Sequence, residues 1–315
     1  MGMLIDGVWH TTPVAQGGKS EEGGRFIRRP SVFRGHIEAG SRFEPTAGRY
    51  HLYVSWACPW AHRTILVRHL KGLEEAIGLS VVDYLMGDDG WRFSERSGAT
   101  LDPVNHTQFL RELYQLADAR YTGKVTVPVL WDTKERTIVN NESLEIIKML
   151  DRAFESSAPA LYPRALEAEI DEMIAANYET VNNGVYRAGF ARNQEAYEEA
   201  VTELFHRLDQ LEEHLSKNRF LVGPALSIAD LCLFTTLLRF DPVYVGHFKC
   251  NLRRIADYPS LQGFLRDVYQ TPGVSGLCNF EHIKGHYYQS HEALNPSRIV
   301  PKGPVLSLNE PHQRG

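Results

Sequence analysis

The sequence of 315 residues predicts an α/β domain followed by an all-α domain. Residues 49–154 alternate strand-like and helix-like runs, the order that builds a mixed sheet with helices packed on it. Residues 166–290 hold long apolar periodicities of helical spacing and no strand-like run. Between them, ESSAPALYPRAL (155–166) has the Pro, Ser and Ala content of a linker.

The elements follow in chain order. Residues 1–48 form an N-terminal extension rich in Gly and Arg (GGRFIRRPSVFRGHIEAG), read as irregular chain lying on the body of the protein. YHLYVS (50–55) alternates as a strand, and a helix follows Pro59. LSVVDYLM (79–86) is the second strand, and βαβ order implies a parallel pair joined by a right-handed crossover. GDDGWRFSERSGATLDPVNHT (87–107) is too polar for a core element and is read as an insertion. A helix near QFLRELYQLADARY (108–121), two short strands in TVPVLWD and RTIVN, and the helix ESLEIIKMLDRAF complete the domain.

The order βαβ–α–ββα describes a thioredoxin-like unit. Pro128 argues against a central strand unless it starts the strand in a cis peptide bond. Beyond the linker come EAEIDEMIAANYETV, NQEAYEEAVTELFHRLDQLEEHLSK, SIADLCLFTTLLRF and SLQGFLRDVYQ, all helical. Ser227 and Asp230 precede an apolar run as a capping-box variant, a folding signal with no chemistry assigned to it. Residues 291–315 are a C-terminal tail.

Composition excludes several classes. The chain is 43% hydrophobic and 23% charged with a net charge of −5, and no long Lys or Arg run appears. Nucleic acid is therefore a poor partner. Arg25, Arg28, Arg29 and Arg34 alternate with apolar residues and read as solvated or paired positions. No run of 18 apolar residues occurs, so no membrane span is expected. The polar start does not resemble a secretory signal, and Asp6 stands where a myristoylation signal wants Ser or Thr. The expectation is a cytoplasmic protein.

Four cysteines (58, 232, 250 and 278) show neither a CxxC pair nor zinc-ligand spacing. Cys58 stands in SWACPWAHRTILVRHL, directly before a proline suited to the first helical turn. A helix mouth offers free N–H groups and the positive dipole end, both favouring a thiolate. The alternative is a small hydrophobe in a strand-to-helix turn. In a reducing compartment Cys58 is a working thiol rather than half of a structural bridge. Ala61 stands where a dithiol enzyme places its second cysteine, so the design is monothiol. His282 and His286 share a helix face, but HIKGH lacks the glutamate of a metalloprotease, and no metal is expected. Cys232 reads as core, and no chemical role is assigned to Cys250.

Several separated motifs carry a resemblance: ACPWAHR, the DDGW segment, VPVLWD followed by NNES, NNGVYRAGFA, RFDPVYVGHFKCN and HIKGHYYQSH. Together they resemble the glutathionyl-hydroquinone reductases, the Xi class of glutathione transferases, over residues 25–300. The resemblance implies the glutathione transferase fold, glutathione as co-substrate, a homodimer, and reduction of glutathionyl-hydroquinones through a Cys58–glutathione mixed disulfide. It implies that Val127 offers its backbone to the cysteinyl part of glutathione, that Glu142 and Ser143 hold its γ-glutamyl end, and that Trp91 stacks over it. A helix N-terminus with a hydroxyl suits the carboxylate, and Glu142 suits the ammonium. Plain helix capping is the alternative reading of NNES.

By the same resemblance Tyr186, Tyr244 and Tyr287 line the acceptor pocket, with Tyr288 the competitor of Tyr287. Any one tyrosine in a helical domain is otherwise core packing. An omega-like thioltransferase or dehydroascorbate reductase is the alternative activity, sharing Cys58 and the glutathione site. A non-catalytic scaffold is the other alternative, and the intact Cys58 argues against it.

Overall fold

The computed structural model describes residues 2–11 and 22–314; part of the N-terminal extension, 12–21, lies outside them. The chain divides into two compact units. One comprises Met1–Gly18, Pro30–Pro159 and Asn279–Val300; the other comprises Lys19–Arg29, Ala160–Cys278 and Pro301–Gly315.

The first unit is built on a four-stranded sheet whose strands lie side by side in the order Ile77–Val81, Tyr50–Val54, Val129–Asp132 and Thr137–Asn140. Strand β3 (Tyr50–Val54) is buried along its whole length and pairs parallel with β4 (Ile77–Val81) across helix α1 (Pro59–Leu70). Strand β5 (Val129–Asp132) runs antiparallel to β3 and to β6 (Thr137–Asn140). Helix α2 (Leu110–Ala117) packs on β6, and α3 (Ser143–Arg152) packs on α1. A buried ion pair of 3.2 Å from Lys71 to Asp151 ties the end of α1 to α3. Leu52, Val54, Leu66, Val129, Leu130 and Ile146 form the core between sheet and helices. Pro128 does stand in a cis bond and immediately precedes its strand, as the sequence required.

Three expectations are corrected. The second strand is Ile77–Val81 rather than 79–86. Asp83 ends it: its buried carboxylate accepts from Leu85 N, Ser94 Oγ and Arg96 Nε, turning the chain into the insertion. The extension is not irregular throughout. It carries a hairpin of β1 (Met3–Ile5) and β2 (Val8–His10), turned by Asp6 and Gly7 at φ 47° and 78°. An Asp-Gly pair suits such a left-handed two-residue turn. Further along, Gly35 N donates to Val139 O (2.8 Å) and Asn141 N to Phe33 O (3.1 Å). The extension thus covers the otherwise open edge of β6.

The second unit holds α4 (Glu167–Asn177), α5 (Gly184–Gly189), α6 (Gln194–Lys217), α7 (Ile228–Arg239), the single turn α8 (Val245–His247) and α9 (Pro259–Tyr269). Asp230 caps α7 as expected, accepting from the Ser227 backbone N–H (2.9 Å) and hydroxyl (2.8 Å). Arg25 is paired with Glu199 at 2.7 Å. The third correction concerns α10 (Phe280–Ser290). The boundary drawn at 290 groups it with the other helices, yet it falls in the first unit, where His282 faces Ser97 O and His286 faces Tyr84 O. Among the described residues no helix is long and apolar enough to cross a membrane.

Candidate active site

In the first unit Cys58 occupies the N-cap position of α1, with Pro59 at its first helical position. The cysteine is half-buried, and its sulfur lies 3.7 Å from the carbonyl oxygen of Val127, the residue ahead of cis-Pro128. The cap backbone is fixed by His62 N donating to Cys58 O (2.9 Å), so the sulfur sits where the helix amides begin. The other three thiols are buried. Burial pushes the Cys278 thiol up to about 12 and the Cys250 thiol higher still, so both stay protonated and unreactive. Ala61, one turn into α1, is fully buried.

The start of α3 separates capping from ligand binding. Glu142, not Asn or Ser, is the N-cap, its carboxylate accepting from Leu144 N at 3.4 Å. Asn140 Oδ1 accepts from Glu142 N (2.7 Å), and the Asn141 amide donates to the Tyr114 hydroxyl (3.1 Å). Ser143 sits at the first helical position, and its buried hydroxyl has no hydrogen-bond partner. A buried polar atom left unsatisfied costs stability, and a bound acceptor would relieve that cost. A carboxylate at a helix N-terminus is such a group.

Sequence reasoning missed Ser31, whose hydroxyl lies 3.1 Å from Glu142 Oε2 and 3.1 Å from Asn141 O. Ser31 fixes the glutamate from the extension, 111 residues away in sequence. No local pattern points to it.

Trp91 is buried to 7% exposure, and one face of its indole is covered by the His286 ring at 4.7 Å and 23°. Little of the ring is left open to solvent. Tyr287 belongs to this same unit and is buried against His291 at 5.4 Å, whereas Tyr288 is half-buried. His282 and His286 each face a backbone carbonyl, Ser97 O at 2.7 Å and Tyr84 O at 2.9 Å. Among the described residues no group of three or more His, Cys, Asp or Glu could hold a metal ion.

Tyr186 and Tyr244 lie in the second unit, with ring centroids 6.1 Å apart. Each follows or closes a π-helical turn: Tyr178–Asn182 precedes α5, and Phe240–Tyr244 links α7 to α8. Such wide turns re-aim side chains and recur at functional sites. Tyr244 is fully buried and stacked on Phe248 (5.3 Å, 8°). Tyr186 is half-buried, with the Arg28 guanidinium 4.9 Å above its ring. The structure therefore groups Cys58, Val127, Glu142, Ser143, Trp91 and Tyr287 in one unit, and pairs Tyr186 with Tyr244 in the other.

A thioredoxin-like unit with a cysteine at the mouth of its first helix, followed by a helical unit, defines the architecture of a cysteine-type glutathione transferase. Comparison with known proteins agrees. The family model for the glutathione S-transferase N-terminal domain matches residues 57–153, and that for the C-terminal domain matches residues 194–267. Glutathionyl-hydroquinone reductase YqjG of Escherichia coli is 52% identical, with 100% of this chain and 98% of that protein covered. Glutathionyl-hydroquinone reductase PcpF of Sphingobium chlorophenolicum is 51% identical, with 98% of each covered. Among solved structures, a Xi class transferase from Natrialba magadii superposes with a TM-score of 0.93 at 48% identity, covering 100% of this chain and 96% of that one. The glutathione-bound structure of YqjG gives 0.91 at 49% identity and 99% coverage of each. The chain belongs to the glutathione transferases, in the Xi class of the glutathionyl-hydroquinone reductases.

Proposed function

We propose that this enzyme reduces S-glutathionyl-hydroquinones to hydroquinones at the expense of glutathione. The observation that carries the reading is the placement of Cys58, a half-buried thiol at a helix mouth beside Val127, with Ala61 in the resolving position. The Cys58 thiolate attacks the glutathionyl sulfur. An S–S bond forms, the C–S bond breaks, and its electron pair returns to the ring, which takes a proton to give the hydroquinone. A second glutathione thiolate then attacks the mixed disulfide, releasing oxidised glutathione and restoring Cys58. Substrate plus one glutathione thus gives hydroquinone plus glutathione disulfide.

An aromatic carbon is a poor leaving group from sulfur, so the ring passes first through its keto tautomer, with the sulfur on a saturated carbon. Tyr186, Tyr244 and Tyr287 supply the hydrogen bonds and proton transfers of that shift, help worth about 10² to 10⁴ in rate. Val127, Glu142, Ser143 and Trp91 hold glutathione, the hydroxyl of Ser143 and the first amides of α3 receiving its carboxylate. The enzyme works in the cytoplasm as a homodimer and serves quinone detoxification.

The test is turnover of glutathionyl-menadiol with free glutathione, following both products. Menadiol and glutathione disulfide should appear in equal amounts. A fission yeast relative, 49% identical, is named omega-like 2, which favours a broader thioltransferase as the second reading. Turnover of dehydroascorbate or simple disulfides in preference to glutathionyl-menadiol would select it.

A further inference from the structure

The histidines of HIKGH are the one sequence motif that the chemistry above leaves unused, and the structure gives them a common role. His282 Nε2 lies 2.7 Å from Ser97 O, and His286 Nδ1 lies 2.9 Å from Tyr84 O. Ser290, a turn further on, takes the Met86 N–H at 3.0 Å. Helix α10 therefore grips the chain at Tyr84 and Met86 and, within the insertion, at Ser97, on both sides of Trp91. The insertion in turn reaches the reactive cysteine's own loop, because Trp56 Nε1 donates to Gly98 O at 2.8 Å, two residues before Cys58. Gly285 makes the close approach possible: a Cβ there would meet the Tyr84 ring at 2.6 Å.

Within this grip His286 does more than bond. A carbonyl accepts and cannot donate, so Nδ1 of His286 carries the proton and the ring orientation is fixed. The fixed imidazole lies nearly parallel to the Trp91 indole, at 4.7 Å and 23°. An aromatic pair in this arrangement is directional, and the indole can tilt only by losing it. We propose that His286 is a positioning residue for glutathione: its ring backs Trp91 and sets the orientation in which the indole meets the bound tripeptide. This rests on the reading that glutathione binds beside Cys58 in contact with Trp91. Side chains that lock the residue touching a ligand govern affinity without touching the ligand themselves.

Calorimetric titration with S-methylglutathione, which cannot enter thiol exchange, tests this in the full chain. His286→Ala, and His286→Gln, which can still donate to Tyr84 O but has no ring, should each weaken binding about three- to tenfold. His286→Phe keeps the stacked ring and should bind within about twofold of the wild type. In a Trp91→Ala background His286→Ala should add no further loss, since the pair acts as one unit. Wild-type affinity in both ring-less variants, or a loss that simply adds to that of Trp91→Ala, would overturn the proposal. Failure of the wild type to bind S-methylglutathione would overturn the glutathione reading, and this inference with it.

Discussion

The sulfur of Cys58 lies 3.7 Å from the carbonyl oxygen of Val127, which sets the N-cap of α1 beside the cis-proline loop. A peptide-like ligand running past Val127 brings its own sulfur to the same place. Cys58→Ala should therefore abolish turnover of glutathionyl-hydroquinones. Alanine at Cys232, Cys250 or Cys278 should leave kcat near wild type and cost about 1 kcal/mol of stability, the usual scale for a small core truncation. Steady-state kinetics and urea melts on the four variants check this.

Ser143 offers a prediction with opposite signs for binding and folding. Its hydroxyl is buried without a partner, so Ser143→Ala removes an unsatisfied group and should leave stability unchanged or raised. With the Ser143 hydroxyl donating to the glutathione carboxylate as proposed, the same change deletes a hydrogen bond to a charged group, worth about 1.5–3 kcal/mol. The KM for glutathione should rise by about tenfold or more, and Tm should not fall. A drop in Tm with unchanged KM would make the hydroxyl a structural group.

The tyrosines should matter to the hydroquinone step more than to disulfide chemistry. Phe at Tyr186, Tyr244 or Tyr287 keeps the ring and removes the hydroxyl. At least one of the three should slow glutathionyl-hydroquinone turnover about tenfold or more. Mixed-disulfide formation from glutathione disulfide, whose leaving thiolate needs no tautomer, should change much less. Equal slowing of both substrates in all three variants would leave the tyrosines as packing.

Acid stability depends on His51. Burial pushes its imidazole down to about 4, and its Nε2 lies 2.8 Å from the Ser80 hydroxyl. The unfolded chain takes up this proton near pH 6.5, before the folded chain does, so His51 withdraws stability as pH falls from 6.5 to 4. The loss amounts to on the order of 3 kcal/mol by pH 4. His51→Phe should be less acid-sensitive than the wild type by that margin in denaturant melts at pH 7 and pH 4. Parallel pH curves for the two proteins would contradict the assignment.

What the sequence made legible follows from how local the signals are. Cys58, Pro59 and the apolar spacing behind them are contiguous, so the place of the cysteine at a helix N-cap could be read directly. Pro128 ahead of VLWD marked its strand in the same way. The edge pairing of Phe33 and Gly35 with β6, and the hold of Ser31 on Glu142, join residues more than a hundred positions apart, and no periodicity encodes them. The hairpin at Met3–His10 has strands of three residues, too short for alternation to show, though its Asp-Gly turn was a usable signal. The early start of β4 was hidden by Gly78, a poor strand former, which lies against the His51 ring. Helix α10 lies in the first unit, with His282 and His286 on the backbone carbonyls of Ser97 and Tyr84, long-range partners that helical spacing alone does not announce.

The central claim is a monothiol cycle through Cys58, and trapping its covalent state tests that most directly. The enzyme is mixed with excess glutathionyl-menadiol and no free glutathione, then read by intact-protein and peptide mass spectrometry. The account predicts one glutathionyl group per chain, on the Cys58 peptide, with one equivalent of menadiol released and the cycle halted. A disulfide between Cys58 and another cysteine of the chain, or continued menadiol release with Cys58 unmodified, would contradict it.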